Sequence, residues 1–173
     1  MKAFILSLTL FSSALIHGQS VEGVDFMTYP AKEIDLKKKA KINWTTNPYK
    51  NKVKEIKEGY EAGTLSFGGF YITVLWLCGA DCAQGVMIDS RTGVIYKMPI
   101  SSLNTSNQCQ DRDDIFDRYL FFSYSKLIAT SICKTKKENQ GVKVQQEFFF
   151  YLWSEASKKF SLIKKSKKER LDK

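Results

Sequence analysis

The spacing of apolar side chains along the chain changes near residue 66. Before that point, Tyr49, Val53, Ile56 and Tyr60 follow one another at steps of four, three and four residues. This spacing places the four side chains on one face of a helix. Lysine and glutamate occupy the remaining faces, so the pattern predicts an amphipathic helix that packs on a sheet.

The ends of this helix are also marked in the sequence. Asn47 is a suitable N-cap, and Pro48 suits the first helical position because it has no N–H to leave unpaired. Gly63 is placed to end the helix. We therefore expect one helix on the N-terminal side of the sheet.

From Ser66 onwards the apolar positions follow the period of β-strands. The segment FYITVLWLC is apolar on both alternating faces, which is typical of a central strand covered on both sides. The sequence SRTG predicts a hairpin turn in which Gly93 adopts a positive φ. Further strands are predicted in GVMID, GVIYKM, RYLFFSY, KLIATSIC, VKVQQEFFFYLW and KKFSLIKK. The expected fold class is mostly β (α+β), an antiparallel meander sheet of six to seven strands with one N-terminal amphipathic helix.

The first twenty residues have the pattern of a secretory signal peptide. A lysine precedes an apolar and hydroxyl-rich run at residues 3–16, which is too short for a membrane anchor. We expect cleavage between Gly18 and Val21. No later segment is apolar and long enough to span a bilayer, so the mature protein is expected to be periplasmic or secreted.

Removal of the signal peptide would also remove His17, the single histidine of the chain. The mature protein would then lack Ser-His-Asp and Cys-His catalysis and every zinc site that requires histidine. We assign no catalytic residue, no metal ligand and no cofactor from the sequence.

The remaining chain, about 153 residues, is long enough for one domain with its own core. Residues 21–46 are polar and rich in lysine, and we expect a basic arm that is extended or loosely packed. Residues 47–164 are predicted to form a single disulfide-braced domain. Residues 165–173 are predicted to be a basic, disordered tail.

The formal net charge of +9 is unevenly distributed. Residues 31–58 contain nine lysines and four acids, and residues 164–173 contain six bases and two acids, whereas residues 59–163 contain eleven bases and ten acids. This pattern indicates either solvated surfaces or attraction to an anionic envelope component. Export and the absence of aromatics interleaved with the lysines argue against nucleic acid.

The four cysteines favour disulfides over a metal site, because oxidised pairs persist in exported proteins. Cys78 and Cys82 flank a Gly-Ala-Asp turn, and their spacing differs from the Cys-x-x-Cys of redox enzymes. We expect a structural Cys78–Cys82 bond and a second bond between Cys109 and Cys133. The interleaved pairing, 78–109 with 82–133, remains open from the sequence alone.

A Cys78–Cys82 disulfide would close a very small loop, lock the tip of a hairpin and present this tip as a contact surface. The candidate contact loop consists of Gly79, Ala80 and Asp81. Tyr71 and Trp76 are expected beneath the loop as a supporting shell. The remaining supporting residue, Asp89, is expected to cap the next hairpin turn.

Several of these segments resemble a family of uncharacterised exported bacterial proteins. The similar motifs are F-x-G-x-Y at residues 67–71, W-x-C-G-x-x-C at 76–82 and D-x-x-T-G-x-x-Y at 89–96. The resemblance extends over roughly residues 48–164 and implies an exported domain, but it implies no activity. A more distant similarity links the clamped loop to bacterial inhibitors of vertebrate lysozyme, whose loop is longer and contains a histidine.

Three functions are compatible with this pattern. The first is a non-enzymatic binding or inhibitory module of the bacterial cell envelope, with a protein or an anionic envelope component as its partner. The second is a small periplasmic hydrolase that uses the acidic residues Asp81 and Asp89. The third is a structural envelope protein.

Overall fold

The computed structural model describes residues 20–79, 82–101, 118–138 and 141–172. The strands are β1 (Ser20–Val21), β2 (Val24–Asp25), β3 (Tyr71–Gly79), β4 (Cys82–Asp89), β5 (Ile95–Lys97), β6 (Tyr119–Phe121), β7 (Leu127–Glu138), β8 (Gly141–Ser154) and β9 (Lys159–Asp172). One α-helix, α1, is found in this part of the chain at Val53–Ala62. Short 3₁₀ turns occur at Phe26–Thr28, Trp44–Thr46 and Lys50–Lys52.

The strands form three antiparallel sheets, with the orders β1-β2, β3-β4-β5 and β6-β7-β8-β9. The prediction of a mostly antiparallel β fold is therefore confirmed, but the single six- to seven-stranded meander is wrong. The chain starts a second sheet because both faces of the β3-β4-β5 sheet carry apolar side chains that must be covered.

Three large clusters of apolar side chains lie between these elements, and a small fourth cluster contains Cys133 and Val144. The first cluster joins α1 to one face of the β3-β4-β5 sheet and includes Ile56, Tyr60 and Ile72. The second joins the opposite face of that sheet to the β6-β9 sheet through Tyr71, Trp153 and their neighbours. The third packs Val24, Phe26 and the arm on the far face of the β6-β9 sheet.

Strand β3 is covered on both faces, as the sequence predicts, but it lies at the edge of its sheet and β4 is central. Ile72, Val74 and Trp76 face the helical layer, while Tyr71 and Leu75 face the second sheet. Double-sided burial therefore comes from the layers above and below β3, and its apolar pattern does not report its position within the sheet.

The helix begins later than predicted because Asn47 forms a local turn in place of an N-cap. Its side chain accepts a hydrogen bond from the N–H of Tyr49 at 2.8 Å and donates one to the carbonyl of Tyr49 at 3.0 Å. The arm and the β1-β2 hairpin precede α1, so the helix is not at the N-terminus of the chain. Val53, expected on the apolar face, is 45% exposed.

Lys39 stabilises the other end of the helix. Its ammonium group donates to the carbonyls of Tyr60 and Glu61 at 2.8 Å and to that of Gly63 at 2.5 Å. A cation at this position satisfies the terminal carbonyls and interacts favourably with the helix dipole. A lysine of the predicted basic arm thus has a structural role.

The arm is packed, contrary to the loose segment that its polar composition predicts. Phe26 is completely buried, and its carbonyl accepts a hydrogen bond from the Ser125 hydroxyl at 2.8 Å. The N–H of Asn43 bonds the carbonyl of Gly93 at 2.9 Å. These long-range contacts, which hold the arm on the sheets, are invisible in local composition.

The basic tail is also ordered, because β9 extends to Asp172 and pairs with β8 along its whole length. Strand β7 likewise continues past Cys133 to Glu138. The tail is therefore part of a sheet, and residues 127–172 contain eleven bases and five acids. The excess of bases at residues 164–173 therefore lies within a sheet and not in a separate tail.

The crossing of the arm over the β4–β5 turn yields a stability test. Gly93 has φ +75°, as predicted, and a Cβ atom there would overlap the carbonyl oxygen of Lys41. Gly23 has a similar φ of +70°, but a Cβ there would meet nothing within 4 Å. Gly93→Ala should lower the free energy of unfolding by about 3 kcal/mol or more, and Gly23→Ala by about 1 kcal/mol.

Guanidinium denaturation of both variants, with the disulfides intact, measures this difference. Equal destabilisation would mean that backbone strain alone is responsible and that the arm does not pack on the turn as described.

Candidate functional site

The CGADC segment forms the tip of the β3–β4 hairpin. The two strands pair from Tyr71↔Asp89 to Gly79↔Cys82, with a register shift between Leu77 and Gly79. A disulfide joins Cys78 and Cys82 across the tip, with a Cα–Cα distance of 5.0 Å. The predicted local pairing is confirmed, and the interleaved connectivity is excluded. Among the other cysteines, Cys133 is disulfide-bonded and Cys109 lies outside the described residues.

The side chain that dominates this tip is Leu77, which the sequence analysis does not single out. It is 67% exposed, more than any other large hydrophobic side chain in the described part of the chain. Cys78 and Gly79 are also exposed, whereas Ala80 and Asp81 lie outside the described residues. Solvent contact leaves the apolar surface of this leucine available for burial against a partner.

The alternation of side chains between the two faces of β3 explains why the sequence does not reveal the exposure of Leu77. Leu75 and Leu77 share the face that looks toward the second sheet, and Leu75 is partly buried in the core between the sheets. Leu77 lies one step further along the strand and outside that core. Its neighbour Trp76 points to the opposite face, where it is buried against the edge of the Tyr49 ring with a centroid distance of 5.0 Å.

The predicted supporting shell is therefore only partly present. Trp76 anchors the strand just before the tip, but Tyr71 and Asp89 pair with each other at the opposite end of the hairpin. Tyr71 and Cys78 are seven residue steps apart along an extended strand, which corresponds to about 23 Å. Tyr71 and Asp89 do not lie beneath the contact loop.

Tyr71 instead belongs to a polar network between the two larger sheets. Its hydroxyl donates to a carboxylate oxygen of Glu155 at 3.1 Å and accepts the indole N–H of Trp153 at 3.1 Å. The same indole N–H lies 2.5 Å from the second Glu155 oxygen, and Lys158 donates to Glu155 at 2.7 Å. Burial, together with the nearby Glu155 charge, raises the pKa of Tyr71 far above its ordinary value. The phenol keeps its proton and donates it in a hydrogen bond to Glu155.

Asp89 closes the β4–β5 turn, as predicted. Its carboxylate accepts the backbone N–H of Arg91 at 2.9 Å and two guanidinium N–H groups at 3.0 and 2.8 Å. Burial opposes ionisation, but the hydrogen bonds from Arg91 outweigh it and hold the pKa of Asp89 below its ordinary value. A carboxylate held ionised in this way is poorly suited to donate a proton near neutral pH, which disfavours its use as a general acid.

A concave surface lies between the arm and α1. This cleft has a volume of about 570 Å³ and is lined in part by Lys41, Trp44, Lys57 and Tyr60. Lys39 also borders it, but its ammonium group is occupied by the helix carbonyls. The cleft is basic and open, and we assign it no ligand.

The described residues contain no group of three or more His, Cys, Asp or Glu side chains arranged to hold a metal ion. Within the same ranges, no helix is both long and apolar enough to cross a membrane. Comparison with protein-family models, with curated proteins and with solved structures finds no match to this chain. The function must therefore be inferred from the surfaces of the protein itself.

The Asp89–Arg91 ion pair predicts a specific response to acid. Because the pKa of Asp89 is lowered in the folded state, the pair stabilises the fold above the unfolded pKa of about 3.9. That contribution is lost as the pH falls through the lower, folded value. Asp89→Asn should reduce stability at pH 7 and should also weaken its dependence on pH below 4.

Urea denaturation at pH 7 and pH 3 measures both effects, with Asp25→Asn as the matched control because Asp25 caps an exposed 3₁₀ turn. The proposed role of Asp89 is contradicted if both variants lose stability on acidification as steeply as the original protein.

Proposed function

We propose that this chain is an exported, non-enzymatic binding module whose contact surface is the clamped tip of the β3–β4 hairpin. The observation that carries the proposal is the exposure of Leu77 directly beside the Cys78–Cys82 disulfide. The expected partner is another protein of the cell envelope or of the extracellular space.

Export is proposed from the signal-peptide pattern and from the disulfide. Such bonds persist in oxidising compartments and are rare where thiols are kept reduced. The similarity to a family of exported bacterial proteins agrees with this location. The periplasm or the medium is therefore the compartment in which a partner should be sought.

A protein partner accounts for the exposed leucine better than a small polar ligand would. Full burial of a leucine side chain contributes about 1.5–3 kcal/mol, which a partner with an apolar pocket could recover. The disulfide limits the conformations of the free tip, so less entropy is lost when it docks. Trp76, buried just before the tip, supports the strand that presents Leu77.

Charge narrows the class of partner. The chain has a net charge of +9, so an acidic protein would be drawn to it faster than a basic one. Vertebrate-type lysozymes are basic, which disfavours the inhibitory role suggested by the distant loop similarity. An acidic envelope protein is the partner that we propose.

Two changes at the tip test this proposal. Leu77→Ser removes the apolar contact, and Cys78→Ser/Cys82→Ser releases the clamp. Each should weaken partner capture about tenfold or more, because hot-spot contacts of this kind are worth at least 1.4 kcal/mol. Met27→Ser is the matched control, since Met27 is 48% exposed and lies on the arm.

The measurement uses immobilised mature protein, extracts of the envelope of the native cell and quantitative mass spectrometry, followed by titration of the captured partner. Thermal unfolding verifies that each variant is folded. Equal capture by all four proteins, or capture of no partner, would favour the structural envelope role over the binding role.

A further inference from the structure

Strand β9 lies at one edge of the four-stranded sheet. It is the last strand in the order β6-β7-β8-β9, and no strand in the described ranges pairs with its other side. At fourteen residues it equals β8 as the longest strand of the structure. A long free edge presents a row of backbone donors and acceptors that can pair with another extended chain.

A bulge divides this edge into two parts. Tyr151 pairs with Leu162 and Phe150 with Lys164, so Ile163 is the additional residue on β9. Leu162 and Ile163 are 44% and 39% exposed. Pairing is regular again from Lys164 onwards, so a regularly paired stretch of β9 follows directly after an exposed apolar pair.

Lysine side chains line this stretch on both faces of the sheet. Lys165 and Lys167 share one face, and Lys164 and Lys168 share the other, because alternate residues of a strand point to opposite sides. The ammonium of Lys165 lies 5.3 Å from the centre of the Phe149 ring, and Lys164 donates to the carbonyl of Glu22. All four lysines lie within β9. Glu169, the nearest acid on the same strand, forms ion pairs with Lys167 and with Lys143 of β8.

We propose that the outer edge of β9, from Leu162 to Glu169, binds an extended acidic segment of another protein by β-strand addition. Backbone hydrogen bonds would supply the affinity, and glutamate or aspartate beside the lysines would supply the specificity. An apolar residue of the incoming strand would cover Leu162 and Ile163. This surface is independent of the clamped hairpin tip.

Charge decides between this occupant and a second copy of the chain. Pairing β9 with β9 would set lysines beside lysines, and like charges in neighbouring strands are destabilising. Lysines at an edge therefore oppose self-association while leaving the edge open to a strand of opposite charge. An acidic strand could form the backbone hydrogen bonds with β9 and also pair its carboxylates with the lysines.

A synthetic peptide tests the proposal without knowledge of the natural partner. The probe is a labelled peptide of about ten residues built from Val-Glu-Glu-Thr repeats, which places carboxylates on both faces of a strand. Its binding to the full chain is followed by fluorescence anisotropy. We expect saturable binding that weakens with salt, together with slower amide hydrogen exchange in β9.

Two peptide controls separate strand addition from simple charge attraction. A version N-methylated at alternate residues keeps its charge but loses one row of backbone donors. A version with lysine in place of glutamate keeps the backbone but reverses its charge. Both should bind at least about tenfold more weakly.

Charge reversal in the protein supplies the matched variants. Lys165→Glu/Lys168→Glu should weaken binding about tenfold, whereas Lys37→Glu/Lys38→Glu, at exposed positions of the arm, should change it less than about threefold. Cys78→Ser/Cys82→Ser should leave the affinity for the peptide unchanged.

The proposal is overturned by the absence of saturable binding, by equal affinity for the N-methylated peptide, or by equal losses in the two lysine variants. The peptide controls use the unmodified protein, so they decide the question even if a β9 variant fails to fold.

Discussion

The contact between Tyr71 and Trp153 holds the β3-β4-β5 sheet against the β6-β7-β8-β9 sheet, and the arrangement of these two sheets depends on it. Their rings meet edge to face at 5.6 Å, and Glu155 ties the phenol and the indole together from the β8–β9 turn. Because Tyr71 is the first residue of β3, this contact fixes one end of the β3–β4 hairpin. The opposite end, with the disulfide, is carried away from the core. The position of the clamped tip therefore follows from the position of the Tyr71–Trp153 contact between the sheets.

Both candidate surfaces arise where strand pairing continues beyond the hydrophobic core. In β3, burial ends at Trp76, and the residues that follow it in the strand are exposed. In β7 and β9, the outer halves of the strands are exposed and rich in lysine, whereas Val144 and Gln146 of β8, which lies between them, are buried. Cross-strand ion pairs such as Lys143–Glu169 and Lys134–Glu147 connect the three strands. The short hairpin is held by a covalent bond, while the long sheet is held by its backbone ladder. The hairpin therefore exposes an apolar tip, whereas the long sheet exposes a basic edge.

Features that depend on neighbouring residues could be predicted from the sequence, and features that depend on distant contacts could not. The Cys78–Cys82 bond and the Asp89 turn are local, so their residue spacing was sufficient. The pairing of the Lys-rich β9 with β8 depends on a partner strand, and composition alone indicated disorder. The exposure of Leu77 depends on where the second sheet ends, which no periodicity along β3 reports. The same limitation explains why one meander was expected where three sheets are found.

The central claim is that an oxidised Cys78–Cys82 pair holds the hairpin tip in the compartment where the protein acts. The most direct test is to block free thiols in protein taken from its native compartment and then to map its peptides without reduction. The claim predicts an unblocked peptide that contains both cysteines and becomes heavier by two hydrogen atoms on reduction. Blocking groups found on both Cys78 and Cys82 would contradict it.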